Sequence, residues 1–106
     1  MLLIRDVFRC RPGKAGEVAR RLQATLASTE AEDGFRNCRV LVDYVGAYWT
    51  VVMEGEVDEL SQFDHHMAGY GSRPAVQEAM RGYTDLVESG YREVFRVLPR
   101  GGEARA

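Results

Sequence analysis

Residues Phe35–Glu56 read FRNCRVLVDYVGAYWTVVMEGE, and this stretch decides the fold. It holds two runs rich in branched and aromatic residues, Phe35–Val45 and Tyr48–Glu56, with only Gly46-Ala47 between them. Branched and aromatic side chains suit the pleated surface of a strand, and a two-residue connection is typical of a tight hairpin. The centre of the chain is therefore predicted to be a pair of antiparallel strands.

The segment before this hairpin carries one strand and one helix. Leu2–Cys10 alternates around branched and aromatic residues until Arg11-Pro12-Gly13 interrupts it, which predicts a strand. Lys14–Glu30 repeats apolar residues at three- and four-residue spacing, which predicts an amphipathic helix. Asp33-Gly34 then closes the connection to the hairpin.

The segment after the hairpin carries a second helix and a last strand. The helical pattern begins at Val57 or Asp58 and is predicted to break near Gly69–Ser72, where two glycines interrupt it. Ser72 is a candidate N-cap for the continuation, and Gly90 fits just beyond its end. Tyr91–Leu98 alternates again and is predicted to be a strand.

The order of elements is strand, helix, strand, strand, broken helix, strand. This order predicts an α+β protein with the ferredoxin-like βαββαβ arrangement, in which helices cover one face of a four-stranded antiparallel sheet. Residues 1–98 are expected to form a single domain. Residues 99–106 have no apolar pattern and are expected to be a flexible tail.

Both faces of the predicted sheet carry large apolar side chains. In the first strand, for example, Ile4 and Phe8 lie on one side while Leu3 and Val7 lie on the other. A sheet with one wet face should instead alternate cleanly between apolar and polar residues. Because the helices can cover only one face, the other face is predicted to pack against a second copy of the chain.

Composition narrows the classes of partner and compartment. The net charge is −2, and acids and bases are mixed along the chain without a basic stripe, so nucleic-acid binding is not predicted. The sequence shows neither a signal-peptide pattern nor an apolar run near the roughly 20 residues that a membrane span requires. Cys10 and Cys38 stand alone, as expected of reduced cysteines in a cytoplasmic protein.

Three segments resemble a known family. They are Arg11-Pro-Gly-Lys14 at the entry to a helix, the hairpin Asp43-Tyr-Val-Gly-Ala-Tyr-Trp49, and Leu86-Val-Glu-Ser-Gly-Tyr-Arg-Glu-Val-Phe95. Together they resemble NIPSNAP-like members of the dimeric α+β barrel superfamily, over roughly residues 1–98. That superfamily includes monooxygenases of the antibiotic-biosynthesis type, haem-degrading enzymes and isomerases. The resemblance implies two sheets that face each other across a dimer, with ligands held between a subunit's own sheet and helices.

His65 and His66 are the two histidines of the chain. When the apolar face of their helix is set by Leu60, Phe63 and Met67, His65 points to water and His66 lies near the edge of that face. Neighbouring helical residues differ in direction by about 100°, so the two rings are not expected to share a metal. His66 is either solvated, or placed at the mouth of a pocket as an acid–base group or haem ligand.

Several charges fall within the predicted strands. Asp6 shares a side with Ile4, whereas Arg39 and Asp43 share a side with Leu41. A charged side chain on a covered face of the sheet needs a partner, because burying it alone costs several kcal/mol. These residues are therefore expected either to form ion pairs at an interface or to line a pocket, with Asp6 as a candidate acid–base group.

Haem and metal sites find little support. Haem-degrading relatives combine an Asn, a Trp and a His, and this chain offers Trp49 and His66 but no Asn in its first strand. Trp49 is expected to lie in the core, at the dimer interface or against a pocket. No cluster with metal-ligand spacing is present, so neither a cofactor nor a metal is expected, and haem stays an alternative.

The sequence favours a protein that binds a small apolar or aromatic molecule between sheet and helices. Any activity is expected to be a cofactor-independent oxygenation or isomerisation. His66 or Asp6 would supply the polar group, and the pocket would be lined by Arg39, Trp49, Met67, Met80 and Tyr83. One alternative is a non-catalytic interaction or stress-response domain, and the other is a haem-binding protein.

Overall fold

A computed structural model describes residues 1–100 of the chain. Its centre is a four-stranded antiparallel sheet in the order β2-β3-β1-β4. The strands are β1 (Leu2–Cys10), β2 (Arg36–Val42), β3 (Thr50–Val57) and β4 (Val87–Arg96). The predicted ferredoxin-like arrangement is confirmed.

The helices pack on one face of this sheet and bury two apolar clusters. They are α1 (Ala15–Gln23), α2 (Leu26–Asp33), α3 (Leu60–Gly69) and α4 (Pro74–Ala79). Val18 and Leu22 of α1 pack against Cys10 and Val51 of the sheet. In the second cluster, Phe63 of α3 packs against strand residues and Phe35. The core therefore lies between the sheet and a single helical layer.

The predicted break in the second helical segment is confirmed. After α3, a short 3-10 turn over Tyr70–Ser72 redirects the chain before α4 begins at Pro74. Pro74 occupies the first turn, where its missing N–H costs nothing. Ser72 does not act as the N-cap, because its hydroxyl donates to the carbonyl of Gly69, and Arg73 holds the N-cap position instead.

The predicted two-residue hairpin is wrong. β2 ends at Val42 and β3 begins at Thr50, so residues 43–49 form a longer loop. Asp43 fixes this loop, since its Oδ1 accepts a hydrogen bond from the backbone N–H of Thr50 at 2.9 Å. Trp49 enters the strand with φ of 61°, in the left-handed region. Residues 43–49 have a composition that favours strands. Hydrogen bonds that involve the side chains of Asp43 and Thr50 instead stabilise a loop here, and composition does not reveal such bonds.

The predicted helix over Lys14–Glu30 is two helices. The chain turns at Ala24-Thr25, where the backbone N–H of Thr25 bonds the carbonyl of Leu22 at 3.0 Å and its hydroxyl bonds the same oxygen at 2.8 Å. These contacts tighten the turn and redirect the chain into α2. The apolar spacing continues across the break, so periodicity alone could not detect it.

The last strand begins earlier than predicted. α4 ends at Ala79, Gly82 adopts a left-handed φ of 76°, and β4 runs from Val87. Gly90 is therefore a strand residue and not a helix terminator. A side chain at Gly90 would place its Cβ 2.8 Å from the carbonyl oxygen of Val7, which explains glycine at this position.

The face of α3 that meets the core differs from the predicted one. Leu60 and Met67 are about half exposed, whereas His66 is buried and Phe63 is half-buried. The buried direction thus passes through Phe63, His66 and Tyr70. The helix is rotated relative to the apolar pattern because His66 has buried polar partners, so its burial does not follow from hydrophobicity.

The face of the sheet opposite the helices carries an ion-pair network at its centre. Nε of Arg5 donates to Glu54 at 3.0 Å, Nη1 of Arg5 donates to Glu93 at 3.2 Å, and Nε of Arg39 donates to Glu54 at 2.7 Å. Glu54 is only 6% exposed. Large apolar side chains surround the network and reach solvent, namely Leu41, Tyr91 and Phe95. We call this surface the open face.

Two further sequence expectations concern the ends of the chain and membranes. The predicted flexible tail over 99–106 lies, beyond Arg100, outside the described residues. Within residues 1–100, none of the helices combines the length and the apolar character needed to cross a membrane.

Candidate functional site

A buried cluster of charged side chains joins α2, α3 and the turn before α4. Asp33 is the last residue of α2, and its side chain is fully buried. One of its carboxylate oxygens lies 2.6 Å from Nδ1 of His66, and the other accepts a hydrogen bond from Nη2 of Arg73 at 2.5 Å. Three elements are thus tied together through one carboxylate.

The environment of Asp33 keeps it ionised. Burial pushes the pKa of Asp33 upward, but hydrogen bonds from Arg73 and His66 outweigh burial and hold that pKa below its ordinary value. A carboxylate at the C-terminal end of a helix also faces the negative end of the helix dipole. Asp33 therefore depends on these two partners for its stability.

His66 is oriented on both sides of its ring. The ring packs between Phe35, with centroids 4.9 Å apart, and Tyr70, at 4.5 Å. The Asp33 carboxylate can only accept a hydrogen bond, so the Nδ1 atom of His66 that faces it carries a proton. In the neutral ring, Nε2 is then the nitrogen that can accept a hydrogen bond. His65 is instead 69% exposed, with Nε2 3.6 Å from Asp33.

Two cavities lie between the sheet and the helices. The first, which we call the small cavity, offers about 20 Å³ to a water-sized sphere and is bordered by His66, Thr29 and Cys38. That space holds about one water-sized group. The second, which we call the cleft, is open to solvent and offers about 430 Å³. Asp6 and Met53 border both cavities, so they form the partition between them.

The cleft has apolar walls and a small set of polar groups. Its apolar walls are Phe8, Leu22, Met53, Val76 and Met80. Its polar groups are Asp6, Gln77, Tyr83 and Arg92. Pockets of this size with few polar groups are typical small-molecule sites.

An ion pair stands at the partition. Nε of Arg92 donates to Oδ1 of Asp6 at 2.5 Å, and the guanidinium carbon lies 5.4 Å from the ring centroid of Phe63. Tyr70 also borders the cleft, and its hydroxyl donates to Thr25 at 3.0 Å. Burial raises the pKa of Tyr70, so its hydroxyl stays protonated at neutral pH.

The structure brings four of the predicted site residues to these cavities. Asp6, Met80 and Tyr83 line the cleft, and His66 borders the small cavity. The other three, Arg39, Trp49 and Met67, line neither cavity.

Each of these three misplacements has a physical reason. Arg39 lies on the open face because the register of β2 and β3 places it opposite Glu54, with which it pairs. Trp49 belongs to the loop over 43–49, and Met67 points outward because α3 is rotated. The expectation that Asp6 and Arg39 belong to one pocket is wrong, since they lie on opposite faces of the sheet.

Sequence reasoning missed Asp33, Arg73 and Arg92. Asp33 lies beyond the predicted helix over Lys14–Glu30, so its place at the end of α2, where the helix dipole disfavours a carboxylate, could not be read from the sequence. Arg73 and Arg92 gave no signal either, because each is one of thirteen arginines and the tertiary fold selects them.

The cysteines and the metal-binding residue types offer no further site. Burial raises the pKa of Cys38 to about 12, so its thiol is not a nucleophile at neutral pH. Among residues 1–100, no three His, Cys, Asp or Glu side chains gather as metal ligands do. The ring of His66 borders the small cavity, which has room for a water-sized group.

Comparisons with known proteins identify the fold. No protein-family model matches the sequence, and no curated protein matches it. Among solved structures, the chain is similar to an uncharacterised NIPSNAP-like domain protein from Burkholderia xenovorans, with a TM-score of 0.74 and 17% identity over 98% of this chain and 89% of that one.

Two further structures agree. A NIPSNAP family protein from Agrobacterium tumefaciens has a TM-score of 0.77 and 14% identity, over 95% of this chain and 96% of that one. A protein of the antibiotic biosynthesis monooxygenase type from Deinococcus radiodurans has a TM-score of 0.70 and 20% identity, over 100% of this chain and 97% of that one. The predicted resemblance to NIPSNAP-like proteins is confirmed in fold, and at these identities the likeness shows the fold alone.

Proposed function

We propose that this chain binds a small apolar or aromatic molecule in the cleft and catalyses a cofactor-independent isomerisation of it. The observation that carries the proposal is the partition formed by Asp6 and Met53 between the cleft and the small cavity. A ligand body would fill the cleft, and its reacting end would pass this partition toward His66. The small cavity has room for about one water-sized group.

The proposed chemistry is proton transfer. His66 would remove a proton beside an activating group such as a carbonyl and return it at another carbon. Nε2 is the available base because Asp33 occupies Nδ1 and stabilises the imidazolium that forms. Asp6 would position the reacting end at the partition. This reaction balances without an oxidant, whereas oxygenation would require dioxygen as a second reactant.

A direct test uses small ketones that carry a phenyl ring as probes. Acetophenone and phenylacetone would be incubated with the protein in deuterated water, and exchange of the protons beside the carbonyl followed by NMR. We expect exchange above the buffer rate. His66→Asn, which keeps a donor near Asp33 but lacks a base, should lower the protein-catalysed rate by about a hundredfold.

The neighbouring histidine supplies the matched control. His65→Asn removes an exposed ring that approaches Asp33 only at 3.6 Å, and it should lower exchange far less than His66→Asn does. Binding in the cleft without any exchange would favour the non-catalytic interaction domain. Absence of binding to the cleft would contradict the proposal as a whole.

We also propose that the chain works as a cytoplasmic homodimer through the open face. Leu41, Tyr91 and Phe95 are between 37% and 59% exposed there, which is unusual for large apolar groups on a sheet surface. A second copy would cover them and bury the central ion pairs. The free thiols of Cys10 and Cys38 suit a reducing compartment. Sedimentation velocity at micromolar concentration tests the dimer, and a monomer would contradict it.

A further inference from the structure

The ion pair between Asp6 and Arg92 supplies the charge in the cleft. The two residues face each other on adjacent strands, where β1 and β4 pair Asp6 with Arg92 in register. Their side chains are 16% and 41% exposed, so the pair is partly withdrawn from water. The other residues that line the cleft are neutral. The cleft therefore has a net charge of zero where a ligand would meet it.

The pair retains both donor and acceptor capacity. Among residues 1–100, the hydrogen bond between these side chains uses Nε of Arg92 and Oδ1 of Asp6. The Nη groups of Arg92 and Oδ2 of Asp6 are the atoms that remain for a ligand. A guanidinium offers several N–H donors, and a carboxylate offers only acceptors. Both side chains line the cleft.

This arrangement disfavours charged ligands. A carboxylate bound to Arg92 would lie beside the carboxylate of Asp6, and like charges at this distance repel. An ammonium bound to Asp6 would meet Arg92 in the same way. A neutral group that both donates and accepts satisfies the two side chains at once and leaves their pairing intact.

We propose that Asp6 and Arg92 select neutral ligands whose apolar or aromatic body ends in adjacent hydrogen-bond donor and acceptor atoms, such as a primary amide. This inference rests on the proposed function, because it names the class of molecule that the cleft takes. The apolar walls hold the body, and the ion pair reads the head group. Removing either charge would then change which head group is preferred.

The experiment compares four probes with similar bodies: benzamide, benzoate, benzylamine and toluene. Dissociation constants would be measured at pH 7 by protein-observed NMR. For the unaltered protein, we expect benzamide to bind about tenfold more tightly than benzoate or benzylamine, a difference of about 1.4 kcal/mol. Asp6→Asn should make benzoate the preferred ligand, and Arg92→Gln should make benzylamine the preferred ligand. A gain of binding cannot result from unfolding.

A matched control lies on the same strand. Arg96→Gln makes the same change four residues along β4, at a position that does not line the cleft, and the ranking of probes should stay unchanged. The inference is overturned if the unaltered protein prefers benzoate or benzylamine. It is also overturned if neither Asp6→Asn nor Arg92→Gln changes the ranking of the probes. If toluene alone binds, the inference about head groups fails, but the proposal that the cleft binds apolar molecules is still supported. If no probe binds any of the proteins, the inference fails together with the proposed site.

Discussion

Asp33 shows how a single residue determines the geometry of the candidate site. It lies at the end of α2, fully buried, and receives hydrogen bonds from His66 and Arg73. A buried carboxylate without such partners would cost several kcal/mol or take up a proton. The orientation of the His66 ring and the position of the turn before α4 thus depend on one charge.

Replacing this charge should change how stability depends on pH. Because the folded-state pKa of Asp33 is lowered, its contribution is present above the unfolded-state value near 4 and is lost as pH falls through the folded-state value. Asp33→Asn should therefore lower the free energy of unfolding at pH 7 by roughly 3 kcal/mol. The difference from the unaltered protein should shrink below about pH 4. Urea unfolding at several pH values measures both effects.

Glu32 provides the comparison for Asp33. Its carboxylate also lies near Arg73, at 3.4 Å from Nε, but its side chain is 58% exposed. Glu32→Gln should change the free energy of unfolding by less than about 1 kcal/mol, as for other exposed pairs. Equal effects of the two substitutions at pH 7, or an Asp33→Asn effect that does not shrink at all as pH falls below about 4, would contradict the role assigned to the buried charge.

At the scale of elements, the sequence predicted what depends on local periodicity. The order of strands and helices and the break at Tyr70–Ser72 follow from apolar spacing and glycines. The rotation of α3 could not be predicted, because His66 is buried by partners that lie on other elements. Asp6 could be predicted at the site because the alternation along its own strand shows which face it lies on. Its pairing with Arg92 could not be predicted, because it depends on the register between β1 and β4.

Gly90 offers a test of how closely β4 approaches β1. A Cβ at this position would lie 2.8 Å from the carbonyl oxygen of Val7, so the two strands must separate to admit it. Gly90→Ala should lower the free energy of unfolding by about 2 kcal/mol, as expected for overpacking. Thermal or urea unfolding measures the loss.

Gly16 is the natural control for that substitution. It lies in α1, and a Cβ there would meet no atom within 4 Å. Gly16→Ala should be neutral or raise the free energy of unfolding by up to about 1 kcal/mol, because alanine favours the helix. Should Gly90→Ala prove as harmless as Gly16→Ala, the close approach of the strands at Gly90 would be wrong.

At the scale of the whole molecule, the two faces of the sheet carry different tasks. The helix-covered face holds the cleft, with Asp6 and Arg92 at its partition. The open face holds the network around Glu54 and exposed apolar groups such as Tyr91. Alternation along each strand separates the two sets of residues, so a change on one face need not disturb the other.

The proposed dimer can be tested without touching the cleft. Tyr91 is 59% exposed on the open face, and Tyr91→Asp would place a charge where the second copy should pack. We expect the sedimentation coefficient to fall to that of a monomer at micromolar concentration. Ala75→Asp, on the exposed surface of α4, should leave assembly unchanged. An unchanged coefficient for Tyr91→Asp would argue against this interface.

The loop over 43–49 contains Trp49, which is the single tryptophan of the chain and is 41% exposed. Ultraviolet emission excited at the indole band therefore originates from one known place, at the end of the β2–β3 pair and outside the cleft. The wavelength of maximum emission depends on how much water surrounds the indole ring at that place. The natural chromophore of this protein is thus an optical probe of the β2–β3 loop and its neighbours, and ligands in the cleft need a probe of their own.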